Sequence, residues 1–341
     1  MPQTEITTPI PVLNELGRPQ NYGWARFPLE NYDHDLLTAP RRSISESDRY
    51  ILISPSHLAA FEILDDGYLG YLCMSVASLK DKKRSTQTFV TPFSLGCFGM
   101  PSDSNKGPVK FRYKKNLLDF VAMEGGVRII KADIPKFGHH RNLRGEIVLV
   151  PPPNAESLVI NMPWRGRGDA FCYSRRSPFY SAEGVIQFGN HEIIFPCGKA
   201  WGIFEWNRGV RPRSDLRFWA AGCGQYEGHQ AGFNVGYNSA DSAQGTENAF
   251  FLDGKLHKLD QVSFHIPSGR LMPWRFTSND NRLEMTFSPH QERDENHQMF
   301  LYSLRRRQLF GSFSGKVILD DGSPFEFQNI TGMAERRKSR L

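Results

Sequence analysis

The sequence lacks any uninterrupted apolar run approaching the ~20 residues that a membrane-spanning helix requires, so no helical membrane span is expected. It is poor in cysteine. The five present (Cys73, Cys97, Cys172, Cys197 and Cys223) are odd in number, widely spaced and without a Cys-x-x-Cys pair. That pattern argues against a disulfide framework or a thiolate zinc site and predicts buried free thiols. After Met1-Pro2-Gln3-Thr4-Glu5 there is no basic start leading into an apolar stretch, so no secretory signal is expected and a cytoplasmic setting is the default. A P-loop and a Gly-x-Ser-x-Gly elbow are also missing. Gly222-Cys223-Gly224-Gln225-Tyr226-Glu227-Gly228 misses the dinucleotide fingerprint by one residue and has no βαβ context, so no cofactor is expected. His139-His140 lie in a loop, and His290 and His297 flank a polar stretch. Neither spacing sets two imidazoles on one face of an element, so no metal is expected.

Charge of one sign is scarce as well. The chain has 42 basic and 36 acidic residues in 341, a net charge of +6. Its basic clusters are short: Lys80 to Arg84, Arg305-Arg306-Arg307 and Arg336 to Arg340. A nucleic-acid surface needs such residues gathered with aromatics between them, so a solvated surface is expected and no nucleic-acid partner.

What the sequence has is β character. It carries 25 Phe, 11 Tyr and 6 Trp, punctuated by 30 Gly and 22 Pro. Aromatics suit half-buried pleated surfaces and Gly and Pro suit turns, while long stretches of apolar residues three and four apart are hard to find. Four tight-turn signals stand between apolar runs: Asp65-Asp66-Gly67, Gly189-Asn190, Asp253-Gly254 and Asp320-Asp321-Gly322-Ser323. Such residues accept the positive φ of hairpin turns. Further strands are predicted at Tyr50–Ile53, Thr88–Thr91, Lys110–Tyr113, Val127–Lys131, Glu146–Val150, Leu158–Met162, Phe218–Gly222, Ala231–Tyr237, Val262–Ile266 and Leu283–Phe287. Short antiparallel strands in this number close into barrels, which removes exposed edges. The length suits two units. An all-β fold of two tandem barrels with little helix is expected: an N-terminal arm over 1–25, a first barrel over 26–178 and a second over 179–341. The boundary is placed in the Arg-rich stretch Arg165 to Ser181.

Charged residues inside strand motifs point to a site, because an unpaired buried charge is costly. Glu247 precedes Asn248 and the run Ala249 to Leu252, and strand alternation puts Glu247, Ala249 and Phe251 on one face. Facing a barrel lumen, Glu247 would be a carboxylate of raised pKa, a general acid. The structural alternative is a buried ion pair to Arg208 or Arg211. Trp206, Arg208 and Arg211 form a second cluster, read either as a barrel-closing stack or as an anion or carbonyl clamp at a pocket mouth. Glu205, Trp219, Asn234, Tyr237 and Asp241 complete the candidates, although the loop composition of Asn238 to Ser242 accounts for Asp241 by itself.

From about Ser181 onward several motifs occur in fixed order. They include Glu205-Trp206-Asn207-Arg208-Gly209-Val210-Arg211-Pro212, Gly232 to Tyr237, Thr246-Glu247-Asn248-Ala249, Pro273-Trp274-Arg275, Phe310 to Gly315 and Gly332-Met333-Ala334-Glu335. In the first half, Gly23-Trp24-Ala25-Arg26, Arg49-Tyr50 and Asp66-Gly67-Tyr68 add to them. On these the sequence resembles a bacterial family known as a domain of unknown function (DUF2804), grouped with the lipocalin-like carotenoid hydratases and tocopherol cyclases. Two departures stand out: Glu205-Trp206-Asn207-Arg208-Gly209 replaces a usual Asp-Trp-Gly-Arg-Gly, and Arg307-Gln308-Leu309 stands where relatives carry His-Gln. The resemblance implies two barrels and a pocket for an apolar ligand.

The leading expectation is therefore a cofactor-independent enzyme acting on an apolar or mixed-polarity small molecule by acid-assisted addition, elimination, isomerisation or cyclisation. Glu247 would be the acid, Arg208 and Asp241 its helpers, and Trp206, Trp219, Tyr237, Arg211, Asn234 and Asn248 the ligand's surroundings. A lipid or isoprenoid carrier and a carbohydrate-active protein are the rival readings. The sequence leaves the oligomeric state open.

Overall fold

The computed structural model describes residues 3–29, 31–81, 83–138, 141–299 and 302–340. The His139-His140 pair and Lys82 of the first basic cluster lie outside them. The chain is 62% strand. Its only helical turns among the described residues are three-residue 3-10 turns at His34–Leu36, Arg41–Ser43 and Glu124–Gly126.

Two antiparallel sheets account for the strands. The first runs Arg84–Pro92, Leu69–Ser78, His57–Asp65, Glu46–Ile53, Trp201–Val210, Phe171–Phe188, Arg141–Val150, Arg128–Phe137, Asn116–Ala122 and Val109–Tyr113. Its edge strands meet through rings rather than backbone bonds, with Phe89 6.1 Å from Phe111 and 5.9 Å from Tyr113. The second sheet runs Lys255–Lys258, Ala249–Leu252, His229–Tyr237, Ser214–Tyr226, Pro324–Arg340, Tyr302–Ile318, Leu283–Met299, Trp274–Ser278 and Val262–His265. The fold is that of two lipocalin-like barrels in tandem.

The turn chemistry works as the residue types dictate. All four signals join adjacent strands, with Gly67 at φ 67°, Gly189 at 62°, Asp253 and Gly254 at 49° and 81°, and Gly322 at 86°. The ten further strand predictions fall on strands except at Val127 and Ile266, each one residue outside. The sheet changes between Val210 and Ser214, so the expected boundary at 178/179 falls inside the strand Phe171–Phe188. The Arg-rich stretch looks like a linker by composition, but Arg175 and Arg176 are strand residues with buried partners. The N-terminal segment lies against both sheets: Gly23–Ala25 pairs with Leu158–Pro163, and the Gln3 amide donates to Asp260 of the second. The cysteines are all free, but only Cys73 and Cys223 are buried, while Cys97 and Cys197 are exposed. Among the described residues no helix is long and apolar enough to cross a membrane.

Each sheet wraps its own core, and a third apolar layer lies between the sheets. Alternation along single strands assigns residues to these layers. On Trp201–Val210, Ile203 faces the second sheet while Phe204 and Trp206 face the first core. On Ala249–Leu252, Ala249 and Phe251 lie between the sheets, and Phe250 points into the second barrel.

Candidate active site between and within the barrels

The layer between the sheets is not wholly apolar. Next to Trp219, Phe251 and Phe310 it holds a continuous chain of buried ion pairs. Arg49 lies 3.0 Å from Glu62, 3.1 Å from Glu205 and 3.4 Å from Glu335. Arg306 lies 2.6 Å from Glu62, and Arg176 lies 3.2 Å from both Glu205 and Glu247. Arg217 closes on Glu247 at 2.8 Å. A buried charge is tolerable only when so paired.

Glu247 is at one end of this chain. Its strand alternation is as expected: Ala249 and Phe251 on that face look into the layer between the sheets, and Glu247 stands where this layer meets the cavity of the second barrel. Its partners are Arg176 and Arg217, not Arg208 or Arg211. Burial alone would raise its pKa, but the Arg217 and Arg176 guanidinium groups outweigh burial and hold the carboxyl below the usual range. The expected raised pKa is thereby corrected: Glu247 is an ionised carboxylate. Gly236 makes room for it, since a Cβ there would sit 2.3 Å from Glu247 Oε1.

Asn234 and Trp219 support the same residue. The Trp219 indole donates to Asn234 Oδ1 at 2.8 Å, and the Asn234 amide donates to the Glu247 carbonyl at 2.5 Å. Trp219 is fully buried between the sheets with Arg49 5.1 Å and Arg217 5.8 Å from its ring, so it is no cavity wall. Trp206 belongs to the first core, and Arg208 beside it also lines the cleft at Glu247 described next. Arg208 pairs with Asp48 at 2.9 Å and lies 4.4 Å from the Trp206 ring, which packs edge-on to Tyr32 and Tyr173 in the first core. Arg208 thus combines a stack on Trp206 with a place in the wall of that cleft. Arg211 donates to the Arg42 carbonyl at 2.9 Å and stands 3.6 Å from Asp66. Asp241 is part-exposed in a turn, accepting from the Ala243 amide at 3.2 Å, and lines neither cavity described next.

Two cavities meet at Glu247. One is a narrow cleft of about 80 Å³ between the sheets, walled by Arg176, Arg211, Arg213, Arg217, Arg337 and Arg340 with Met162, Trp164 and Phe171. The other, of about 710 Å³, opens at the second barrel, where Phe218, Tyr237, Val262, Phe264, Ile266 and Pro267 make its apolar wall. Glu247, Met162 and Asn238 line both. Tyr237 is 55% exposed at the rim. Asn248 also lines the larger cavity, accepting from the Gly236 amide at 2.7 Å and donating to the Asp260 carbonyl at 2.7 Å.

Sequence reasoning missed Arg176, Arg217 and Lys258. The Lys258 ammonium donates to Thr246 Oγ1 at 2.7 Å and to the carbonyls of Asn248 and Leu259 at 3.0 and 2.7 Å. Burial, only partly offset by Asp260 and Asp280, pushes its pKa down to about 7. A charge set inside a strand-like apolar run, as in Leu216-Arg217-Phe218 and Leu256-His257-Lys258-Leu259, was the available signal. Among the described residues no three potential metal ligands cluster.

The family described as Domain of unknown function (DUF2804) matches residues 3–341. No curated protein matches the sequence. Among solved structures, the chain is similar to CghA with Sch210972, at 12% identity over 88% of this chain and 89% of that one, TM-score 0.55. It is also similar to an AttH-like protein of Nitrosomonas europaea (14% identity, 91% and 98% covered, TM-score 0.49). The third is kievitone hydratase of Nectria haematococca (9% identity, 86% and 88% covered, TM-score 0.46). At these identities the likeness is one of fold.

Proposed function

We propose, from the premise that this chain belongs to the DUF2804 family, that it is a cofactor-independent enzyme whose substrate has an apolar body and a polar, anionic or carbonyl, end. The observation that carries this reading is the position of Glu247 in the wall shared by the 710 Å³ cavity and the arginine-lined cleft. The apolar wall of Phe218, Phe264 and Ile266 suits the body of such a molecule, and the guanidinium groups beyond Glu247 suit its polar end. CghA, of the same fold, was solved with a small molecule, Sch210972.

The reaction class is proton-assisted elimination, isomerisation or cyclisation. Glu247, already ionised, accepts a proton or stabilises a developing cation. A proton donor suited to neutral pH is Lys258, whose ammonium bonds Thr246 Oγ1, a group on the cavity wall. One observation favours a carrier instead: both Glu247 oxygens are already held by Arg217 and Arg176.

The test starts with native mass spectrometry of the purified protein, which should show a retained small molecule that Ser263→Trp, filling the cavity, excludes. With that molecule in hand, Lys258→Met should keep binding and cut turnover by roughly 10²–10⁴. A molecule released unchanged by wild type and variant alike would make the protein a carrier.

A further inference from the structure

The two basic clusters of the second half, Arg305-Arg306-Arg307 and Arg336 to Arg340, stand apart in the sequence and face each other in the fold. They lie on the antiparallel neighbours Tyr302–Ile318 and Pro324–Arg340, whose register sets Arg305 opposite Lys338 and Arg307 opposite Arg336. Between these pairs Arg306 turns to the first sheet, where it meets Glu62, and Arg337 lines the cleft at Glu247. Alternation therefore puts Arg305, Arg307, Arg336 and Lys338 together on the opposite face, that of the second barrel. Arg307 and Arg336 line its 710 Å³ cavity. Arg305 and Lys338 form the next pair towards the strand ends, and both are exposed.

Like charges directly across a strand pair repel. Other cross-strand pairs at the surface of this molecule are complementary: Lys131 is opposite Glu146, Arg144 opposite Asp133 and, further along the same two strands, Lys316 opposite Glu326. Two carboxylates neighbour the basic ladder. Glu292 pairs with Arg307 at 2.7 Å and also with Arg270, dividing one charge between two guanidinium groups, and Asp294 stands opposite Arg307 on the next strand. Apolar surface adjoins the same ladder. Phe218 is opposite Arg336, 5.6 Å from its guanidinium, and Tyr237, half exposed at the rim, is opposite Phe218. The loop after His265 completes the opening: Ile266 to Gly269 line the cavity, Arg270 is anchored on Glu292, and Leu271 and Met272 are 41% and 47% exposed.

We propose that this end of the second barrel docks on an anionic lipid surface, with Arg305, Arg336 and Lys338 against headgroup phosphates and Leu271 and Met272 at the boundary of the acyl chains. Clustered cations are drawn to anionic lipid, and neighbouring apolar side chains add the burial that holds a protein in the interface. The repulsion built into the ladder is relieved there, because the surface supplies the missing negative charge. A nucleic acid fits less well: the side chains that the loop exposes are aliphatic or thioether, not the aromatic faces on which bases stack. The docking concerns what surrounds the cavity mouth, so it goes beyond the proposed chemistry and applies to an enzyme and a carrier alike.

The test is cosedimentation of the full chain with phosphatidylcholine vesicles containing about 30% phosphatidylserine, against phosphatidylcholine alone, in about 0.1 M sodium chloride. The anionic vesicles should bind at least about tenfold more tightly, and about 0.5 M salt should remove most of that difference. Each cation near such a surface is worth about fivefold, so Arg305→Gln combined with Lys338→Gln should weaken binding about 25-fold. Both residues are exposed and outside the cavity wall, so the melting temperature of that variant should hold or rise as the repulsion goes. Leu271→Ser combined with Met272→Ser should weaken vesicle binding about tenfold at unchanged charge. Equal binding to neutral vesicles, or anionic binding unaffected in the folded Arg305/Lys338 variant, would overturn the proposal. Vesicle binding indifferent to the Leu271/Met272 variant would also overturn it in favour of a general polyanion surface, which a single-stranded oligonucleotide bound as tightly as the vesicles would identify.

Discussion

Glu247 illustrates what a single residue in this chain reveals before and after folding. A carboxylate ahead of Ala249-Phe250-Phe251 is visible in the sequence as an anomaly, and alternation correctly groups it with Ala249 and Phe251. Which side that face looks to depends on a second sheet, and its partner Arg176 lies 71 residues away. Neither is written locally. With both carboxylate oxygens bonded by buried guanidinium groups, Glu247→Gln leaves Arg176 and Arg217 short of an anion, so stability should fall by about 3 kcal/mol in urea denaturation. A loss under about 0.5 kcal/mol would mean that Glu205 alone satisfies both arginines. His34 makes a separate, pH-dependent contribution. The Glu46 carboxylate, 3.4 Å from its ring, raises the His34 pKa against the lowering effect of burial. The folded protein then holds a proton that the unfolded chain releases near pH 6.5. Stability from this pair is complete below that pH and is lost as pH rises through the folded value. Lys258, with its pKa lowered to about 7, contributes stability that grows as pH rises over the same range, so the His34 effect is read as a difference: relative to His34→Gln, the wild type should lose stability between pH 6 and 8.

At the scale of the element, hairpins were the most legible feature, because their chemistry is local. Asp253-Gly254 specifies its own turn whatever lies around it. Strand ends were less so: Leu283–Met299 and Phe171–Phe188 run well past their apolar stretches, and Glu292, Arg293 and Arg176 extend them with charges that only tertiary partners make acceptable. Composition read the latter strand as a boundary for this reason. The Asp253-Gly254 turn offers a direct check. Gly254 has φ 81° and open space around its missing Cβ, with Ala155 Cα at 3.7 Å the nearest atom. Gly254→Ala is therefore strained by backbone conformation and not by collision. It should cost about 1–2 kcal/mol, the left-handed penalty of one L-residue, as a lowered melting temperature. Because Lys258 and Asn248 hang from this hairpin, ligand retention should weaken along with it.

The whole molecule is held together by two barrels meeting across a layer that is apolar at Trp219, Phe251 and Phe310 and ionic along Arg49, Glu62, Arg306 and Glu335. The barrels themselves were readable from strand count and turn spacing. The ionic seam was not, since Arg49 and Glu335 are 286 residues apart. A seam of this kind contributes little to stability relative to well-packed apolar residues, but breaking it exposes each remaining charge to a low dielectric. It also fixes register: Arg306 of the second sheet reaches Glu62 of the first at 2.6 Å, and Arg49 of the first reaches Glu335 of the second at 3.4 Å. A double-mutant cycle on Glu62 and Arg306 separates these effects. Arg306→Met alone strands Glu62 with one cation, and Glu62→Leu alone strands Arg306 with more distant carboxylates, so each should cost about 3–5 kcal/mol. The double variant removes both charges together and should cost less than the sum by more than about 1 kcal/mol, the mark of direct coupling. The coupling should persist in 1 M sodium chloride, because a buried pair is screened far less than a surface one. Additivity within about 0.5 kcal/mol would show that the two residues act independently and that the apolar layer alone docks the barrels.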